Sequence, residues 1–241
     1  MTGDRAEWSL DEISAAVGLP KSTTHRLIHT LRDAGFLDSA TTAGKYRLGL
    51  RSAVIGSYAL RECRVPLAVR GVLRSLAAET GQTAGIAVRA TDHAVTLHRE
   101  PARAEAAKLG RRGMCPVHAS AAGKVLLAYS PPDEVANIFG HRMRLQAYQP
   151  NTIRAVNQLL EVLEEVRAAG FAVDDEEYHL GVRCIAVPVP GPGGDVVQSL
   201  GISAPAGARS IEELRSADLA RVEQAAREVA GRFDERSFSF V

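Results

Sequence analysis

The chain is short of cysteine, lysine, net charge and long apolar runs, and each shortage excludes something. Three cysteines in 241 residues, Cys63, Cys115 and Cys184, are odd in number and widely spaced. They do not form the disulfide framework of a small secreted scaffold. No apolar stretch reaches the roughly 20 residues that cross a bilayer. The opening residues, MTGDRAEW, are too polar for a secretion signal. A cytoplasmic protein without a membrane span is expected. The net charge is only +1, from 29 Lys and Arg against 28 Asp and Glu. Any attraction for nucleic acid must therefore come from a local patch. Lysine occurs only at 21, 45, 108 and 124, so arginine supplies most of the positive charge. There is no internal repeat and no low-complexity segment. The 46% hydrophobic content is ample for a packed core, and the length suits one large domain or two smaller ones.

The most informative stretch is SLDEISAAVGLPKSTTHRLIHTLRDAGFL, from Ser9 to Leu37. Ser9 with Glu12 makes a capping box for a first helix, and Leu10, Ile13, Ala16 and Val17 share one of its faces. Gly18 is a left-handed stop, and Pro20 suits the first position of a second helix. This is the pattern of a helix-turn-helix, whose second helix enters the DNA major groove. In that helix Thr24, Leu27, Ile28, Leu31 and Ala34 form an inward stripe, leaving hydroxyls and bases outside it. Lys21, Ser22, Thr23, Thr24, His25 and Arg26 are the candidate DNA contacts, with Thr24 standing in both sets. Short hydroxyls and cations at a helix start suit phosphate oxygens and base edges.

After Gly35, Phe36-Leu37 and Tyr46-Arg47-Leu48 flank a polar turn and read as a two-stranded wing, with Lys45 and Arg47 placed for backbone contacts. From Gly18 to Arg51 the chain holds six bases and two acids, a local excess of four positive charges of the kind phosphate binding needs.

A second domain follows a connecting helix that reaches about Arg64. A helix restarts at Pro66 and ends near Gly81. Strands are expected at 83–89, 94–98 and 106–109, and short helices at 120–129 and 133–139. A longer helix is expected from about Thr152 to Ala169, with Ile153, Val156, Leu160, Leu163 and Val166 inward and Gly170 as its stop. Strands return at 171–174, 183–189 and 196–203. Ser210 with Glu213 caps a final helix carrying Leu214, Leu219, Val222 and Val229. Segregated runs of helix and strand indicate an α+β fold.

Three patches in this domain carry chemistry. The first, PVHASAAGK at 116–124, is not a Walker phosphate loop, because Val125 stands where Ser or Thr is required. It is a helix start with small side chains around Ser120, Ala121 and Ala122, where exposed N–H groups and the helix dipole favour a small anion; a closely packed capped helix is the plainer alternative. The second is an acidic loop, 174–177, leading through Gly181 into a strand with Cys184. There Asp174 or Glu177 is placed to bind a ligand hydroxyl or to pair with Arg183; a solvated acidic loop is the alternative. The third, Cys115 with His118, has a metal-like spacing, but structural zinc takes four ligands and only two are local. No metal and no cofactor are expected. An enzyme using Cys184 or Ser120 as nucleophile with His118 as base is the competing class, but neither residue lies in a G-x-S-x-G elbow.

Four stretches, GLPKSTTHRLIHTL, GKYRLGLR, PVHASAAGKVLLA and GFAVDDEEYHLGVRCIAVPV, resemble the IclR family of bacterial transcriptional regulators in order and spacing. The resemblance covers nearly the whole chain. It implies a winged helix-turn-helix at 1–50, a linker helix at 51–65 and a GAF-like effector-binding and oligomerisation domain at 66–241. It implies a repressor, rather than an enzyme, that binds a palindromic double-stranded DNA operator as a dimer or tetramer. The regulator would control a catabolic operon in response to a small organic or aromatic acid. Carried over by motif, the effector pocket would be bounded by Cys115, Ala121, Ala122, Asp174, Val182, Cys184 and Ser203.

Two departures from the family pattern stand out. Related sensors of small acids can carry a second serine where this chain has Gly201. Its loss removes a carboxylate partner and adds room, which argues against the smallest keto acids as effectors. Family members also place a further helix before the one starting near Ser9, packed under the recognition helix. Only Met1 to Trp8 precede Ser9, so that helix is expected to be missing because the given start lies downstream of the natural one or the N-terminus was trimmed. Ile13, Leu27 and Leu31 would then lack a packing partner. A ligand sensor whose shortened DNA-binding domain no longer holds its operator is the alternative this leaves.

Overall fold

Side-chain caps fix where the first helices begin. A computed structural model describes residues 7–62, 65–102, 113–140, 144–230 and 232. Met1 to Ala6, the expected strand at 106–109 and Cys63 lie outside them. The chain divides into two units, Met1–Cys63 and Arg64–Val241.

In the first unit Ser9 Oγ accepts from the Glu12 amide (3.2 Å) and Glu12 Oε2 accepts from the Ser9 amide (2.9 Å). This capping box starts α1 (Leu10–Val17). Gly18 closes it at φ +66°, a left-handed value that favours glycine. Pro20 is the residue before α2 (Lys21–Asp33) rather than its first helical residue. Its carbonyl accepts from the Thr24 amide (2.9 Å). The wing has three strands, not two. β2 (Leu37–Ser39) and β3 (Lys45–Leu48) form the hairpin, and β1 (Trp8–Ser9) pairs with the free edge of β3, Trp8 opposite Tyr46. Two residues are too few to show the alternation by which a strand such as β1 is read from sequence.

α3 (Leu50–Glu62) begins against the turn after α2: the Gly49 amide donates to Phe36 O (2.8 Å) and Ser52 Oγ donates to the same oxygen (2.9 Å). Leu50, Val54 and Tyr58, four residues apart, leave an apolar stripe exposed along α3. On α2, Leu27 and Leu31 are 46% and 42% exposed, so the back of this helix is under-packed.

The second unit is a six-stranded antiparallel sheet with helices on both faces. Its elements are α4 (Leu67–Thr80), β4 (Thr83–Ala90), β5 (His93–Glu100), β6 (Met114–Pro116), α5 (Ala121–Ala128), α6 (Pro132–Phe139), α7 (Val156–Ala169), β7 (Ala172–Asp175), β8 (Val182–Pro190), β9 (Val196–Pro205), α8 (Ile211–Glu213), a π-turn at Leu214–Asp218 and α9 (Leu219–Val229). The strand order is β6-β5-β4-β9-β8-β7.

The two faces of this sheet differ in side-chain size. One presents Ile86, Ile185, Val187, Leu200 and Ile202 to Val69, Leu73 and Leu76 of α4 and to Val222 and Val229 of α9. Burying each such side chain contributes about 1.5–3 kcal/mol, so this layer anchors the unit. The other face carries Ala172, Cys184, Ala186, Ser199, Gly201 and Ser203, and α5 lies over it, backed by Leu159, Leu163 and Val166 of α7. Small residues on the strands leave space beneath α5, and that space is a cavity.

Two further expectations need correcting. The long helix starts at Val156, not Thr152. Thr152 is instead buried in the preceding turn, where its Oγ1 accepts from the Tyr148 and Gln149 amides and donates to Glu177 O (2.6 Å). The inward stripe is correspondingly Leu159, Leu163 and Val166, with Leu160 46% exposed. Adjacent leucines give no clue to phase until the helix start is known. The Ser210–Glu213 capping box forms as expected. The helix it starts is interrupted by the π-turn, which local periodicity does not reveal. Among the described residues no helix is long and apolar enough to cross a membrane.

Candidate DNA-facing helix and effector cavity

Lys21, Ser22, His25 and Arg26 are exposed on the first turns of α2, and Thr23 is half-buried beside them. Lys21 Nζ lies 2.8 Å from Asp11 Oδ1, with both side chains about two-thirds exposed. A pair so open to solvent is worth little and leaves the ammonium accessible to an anion. Thr24 does not belong with this surface. It is 2% exposed, and its Oγ1 donates to Pro20 O (3.1 Å). Its side chain packs the helix against the turn, as its place in the inward stripe required. On the wing, Arg47 is exposed, Lys45 is half-buried, and Asp38 stands opposite Arg47 across the hairpin.

A cavity in the second unit measures about 120 Å³ and lies between the small-residue sheet face and the start of α5. Strand register builds its floor. Asp174 stands opposite Cys184, Cys184 opposite Ser203, and Ser203 opposite Thr83, so four polar side chains run across β7, β8, β9 and β4. One rung along, Ala172, Ala186, Gly201 and Gly85 supply almost no side-chain bulk. The seven residues carried over by motif, Cys115, Ala121, Ala122, Asp174, Val182, Cys184 and Ser203, all line this cavity.

The start of α5 is tightly built. Ser120 Oγ donates to Pro116 O (2.8 Å) and accepts from the Gly123 amide (3.2 Å). A β-carbon on Gly123 would stand 2.3 Å from Val117 Cα, so only glycine lets the helix seat on the preceding turn. The amides of Ala121 and Ala122 are the remaining first-turn donors, which by helix geometry have no partner within the helix.

The acidic loop divides its charges. Glu177 pairs with Lys124 of α5, both buried. Arg183 takes Asp175 (2.6 Å) and Glu176 (3.5 Å), not Asp174 or Glu177. Asp174 is 5% exposed, and its Oδ1 accepts from the Glu177 amide (2.8 Å). Burial, and then the charge of Glu177, push its pKa up to about 7, against the pull of the Glu177 amide and Lys124. The cavity thus holds a carboxyl group poised between its two protonation states near neutrality.

The thiol chemistry is quiet. Burial, then the charge of Asp174, raise the Cys184 pKa, and its Sγ donates to Ser203 Oγ (3.3 Å). Burial likewise raises Cys115, whose Sγ donates to Ala94 O. His118 is lowered by burial and its Nε2 is held by Gln146 O (3.0 Å). The structure therefore does not pair His118 with Cys184 or Ser120 as base with nucleophile. Among the described residues no three His, Cys, Asp or Glu side chains are grouped to hold a metal.

Several lining residues lie outside the set carried over by motif. Among the described residues Thr83 Oγ1 and Ser199 Oγ are buried without a hydrogen-bond partner. Arg99, Tyr178 and His179 also line the cavity. Tyr178 packs edge-on against Tyr148 at 5.0 Å. Alternation along β4 and β9 marks Thr83 and Ser199 as sharing a face with Gly85 and Ser203, but the sequence does not say which face carries the cavity.

The comparisons with known proteins agree with this architecture. The family model "Bacterial transcriptional regulator IclR C-terminal" matches residues 58–231, and "IclR helix-turn-helix domain" matches residues 1–40. The chain is 33% identical over 200 residues to the HTH-type transcriptional regulator XynR of Escherichia coli (82% of this chain, 78% of the relative). It is 32% identical over 200 residues to the transcriptional repressor IclR of the same organism (82% and 73%). Among solved structures, a double mutant of the PobR inducer-binding domain from Acinetobacter, in complex with 3-hydroxybenzoic acid, superposes with a TM-score of 0.65 at 25% identity. The match covers 70% of this chain and 99% of that one. These relatives are regulators and not enzymes, which agrees with thiols and an imidazole that are not paired with each other. With an α+β fold, an exposed basic recognition helix and matched models over both units, the chain belongs to the IclR family of DNA-binding transcriptional regulators.

Proposed function

We propose that this regulator is a ligand-responsive repressor of a catabolic operon, with a small organic or aromatic acid as effector. The observation that carries the reading is the pairing, in one chain, of an exposed basic helix with a cavity of about 120 Å³ containing a helix start and the carboxyl group of Asp174. A cavity of this volume is close to the ~150 Å³ that takes one benzene ring, so one six-membered ring or a short carbon chain fits it. Repression is supported by the name of the E. coli relative. An acidic effector is supported by the 3-hydroxybenzoic acid held by the PobR domain.

In this reading Lys21, Ser22, Thr23, His25 and Arg26 meet the major groove, while Lys45 and Arg47 meet phosphates. The DNA-binding domain occupies 1–50, the linker 51–65 and the effector-binding domain 66–241. The exposed stripe of Leu50, Val54 and Tyr58 on α3 supports self-association, and in this reading a dimer or tetramer sits on a palindromic operator in the cytoplasm. A two-fold operator demands a fixed half-site separation. An acid that favours one arrangement of the dimer shifts the population, and so the DNA affinity, by its differential binding to the two arrangements.

Fluorescence anisotropy of the full chain on DNA upstream of its own operon is the test. The reading predicts binding that weakens with salt and with Arg26→Ala. Equal affinity for upstream and random DNA would sink it and leave a sensor that does not hold an operator.

A further inference from the structure

An irregularity in β5 decides which of its side chains enters the cavity. Ile86 pairs with His98 while Ala87 pairs with Thr96, so Leu97 is an extra residue on β5. A bulge of this kind reverses side-chain parity and re-aims the residues beyond it. Strict alternation from Thr96 would turn His98 and Glu100 toward the cavity and Arg99 away. Instead Thr96 and Arg99 both line it. Leu97 packs into the apolar layer under α4, and His98 Nε2 meets Glu100 Oε1 at 2.9 Å. Glu100 in turn lies 3.9 Å from Arg74 of α4. The bulge thus brings a guanidinium into a cavity whose acidic lining residue is Asp174.

Arg99 and Asp174 enter from opposite sides of the floor. Arg99 is on β5 and Asp174 on β7, with β4, β9 and β8 between them. Along that path Gly85, Gly201 and Ala186 add almost no bulk, and the unpartnered, buried hydroxyls of Thr83 and Ser199 line the middle. A buried hydroxyl without a partner is destabilising, and a polar ligand that bonds to it removes the penalty.

On the reading that this cavity is the effector site, we propose that it is built for a hydroxy acid. Arg99 takes the ligand carboxylate, and Asp174 accepts a hydrogen bond from a hydroxyl at the other end. The planar guanidinium fork matches a carboxylate with two parallel bonds. The reverse seating would give up the charge-assisted, bidentate pair between the ligand carboxylate and the guanidinium. Arg99 and Asp174 therefore determine both the class and the orientation of the effector.

The test is isothermal titration of the full chain with 4-hydroxybenzoate and 3-hydroxybutyrate, with benzoate and butyrate as counterparts lacking the hydroxyl, and with phenol as the one lacking the carboxylate. At least one hydroxy acid is expected to bind about tenfold or more tighter than its counterparts, as for a ligand that leaves no buried partner unmet. Arg99→Gln should remove the preference for acid over phenol, Arg99→Lys should restore part of it, and Asp174→Asn should narrow the gap between hydroxy acid and plain acid. The melting temperature of each unliganded variant shows that it is folded. A hydroxy acid whose affinity is unchanged by Arg99→Gln would overturn the assignment and leave the regulator reading intact. Failure of both hydroxy acids to bind a chain that still holds its operator would also overturn the proposal, with DNA binding then carrying the regulator reading alone.

Discussion

A β-carbon on Gly201 would stand 2.4 Å from the carbonyl oxygen of Ile185. β8 and β9 approach so closely at this rung that a side chain there has to displace backbone. The sequence suggests that losing a serine at this position adds room for the effector. The structure shows the reverse: the glycine is needed for the strands to meet, and the space comes from the small residues around it. Gly201→Ser should therefore destabilise the chain by about 2 kcal/mol, the usual scale for overpacking a core. Urea denaturation measures it, and an unchanged midpoint would mean the strands separate at no cost.

The Lys124–Glu177 pair should be costly to break from one side. Both residues are buried, at 3% and 6% exposure, and removing one partner leaves a charge in a low-dielectric site. Lys124→Met is expected to cost about 3 kcal/mol. The double variant Lys124→Met/Glu177→Leu should recover most of that loss, because the penalty lies in the uncompensated charge. A thermodynamic cycle from chemical denaturation gives the coupling, and additive losses would contradict it.

Stability should depend on pH through Asp174. Its folded pKa is raised to about 7 from 3.8, so between those values the folded state binds more protons than the unfolded state. That contribution is fully present below about pH 4 and falls as pH rises to about 7, by at most ~1.4 kcal/mol per pH unit. His118, lowered by burial, acts in the opposite direction below its ordinary value. The comparison with Asp174→Asn isolates the carboxyl. The stability of the native chain relative to this variant should decline between pH 5 and pH 7. A constant difference across that range would place Asp174 in a wetter setting than its 5% exposure indicates.

Arg26→Ala should weaken DNA binding uniformly and lower the slope of log affinity against log salt by about one if Arg26 meets a phosphate. If it reads a base, relaxed sequence preference at one position replaces the change of slope. Thr24→Ser keeps the hydroxyl that Pro20 O accepts and, being buried, should leave DNA affinity unchanged. Anisotropy titrations at several salt concentrations separate these cases.

Much of this was legible because it is local. The Ser9–Glu12 and Ser210–Glu213 boxes, the Gly18 and Gly170 stops and the polar start of α2 are all written within four residues of where they act. The cavity was legible only in part. Its α5 wall and acidic loop are contiguous motifs, but its floor is a set of rungs drawn from four strands, and register is a tertiary property. The bulge at Leu97 turns Arg99 inward against the alternation that a strand implies. Thr24 shows the same limit on a helix: a threonine on the first turns serves equally as a contact or a cap, and only packing against Leu19 and Pro20 decides. Glu177 reads as part of a solvated acidic run until Lys124, far away in sequence, is brought beneath it.

The central claim is that occupying the cavity changes what the basic helix does. The direct measurement is the operator affinity of the full chain by anisotropy, with and without a saturating amount of an acid shown by titration to bind. The account predicts a change in Kd of at least about tenfold, a coupling of about 1.4 kcal/mol, and its loss in Arg99→Gln at the same acid concentration. An operator Kd that is the same with the cavity filled as without acid would contradict it.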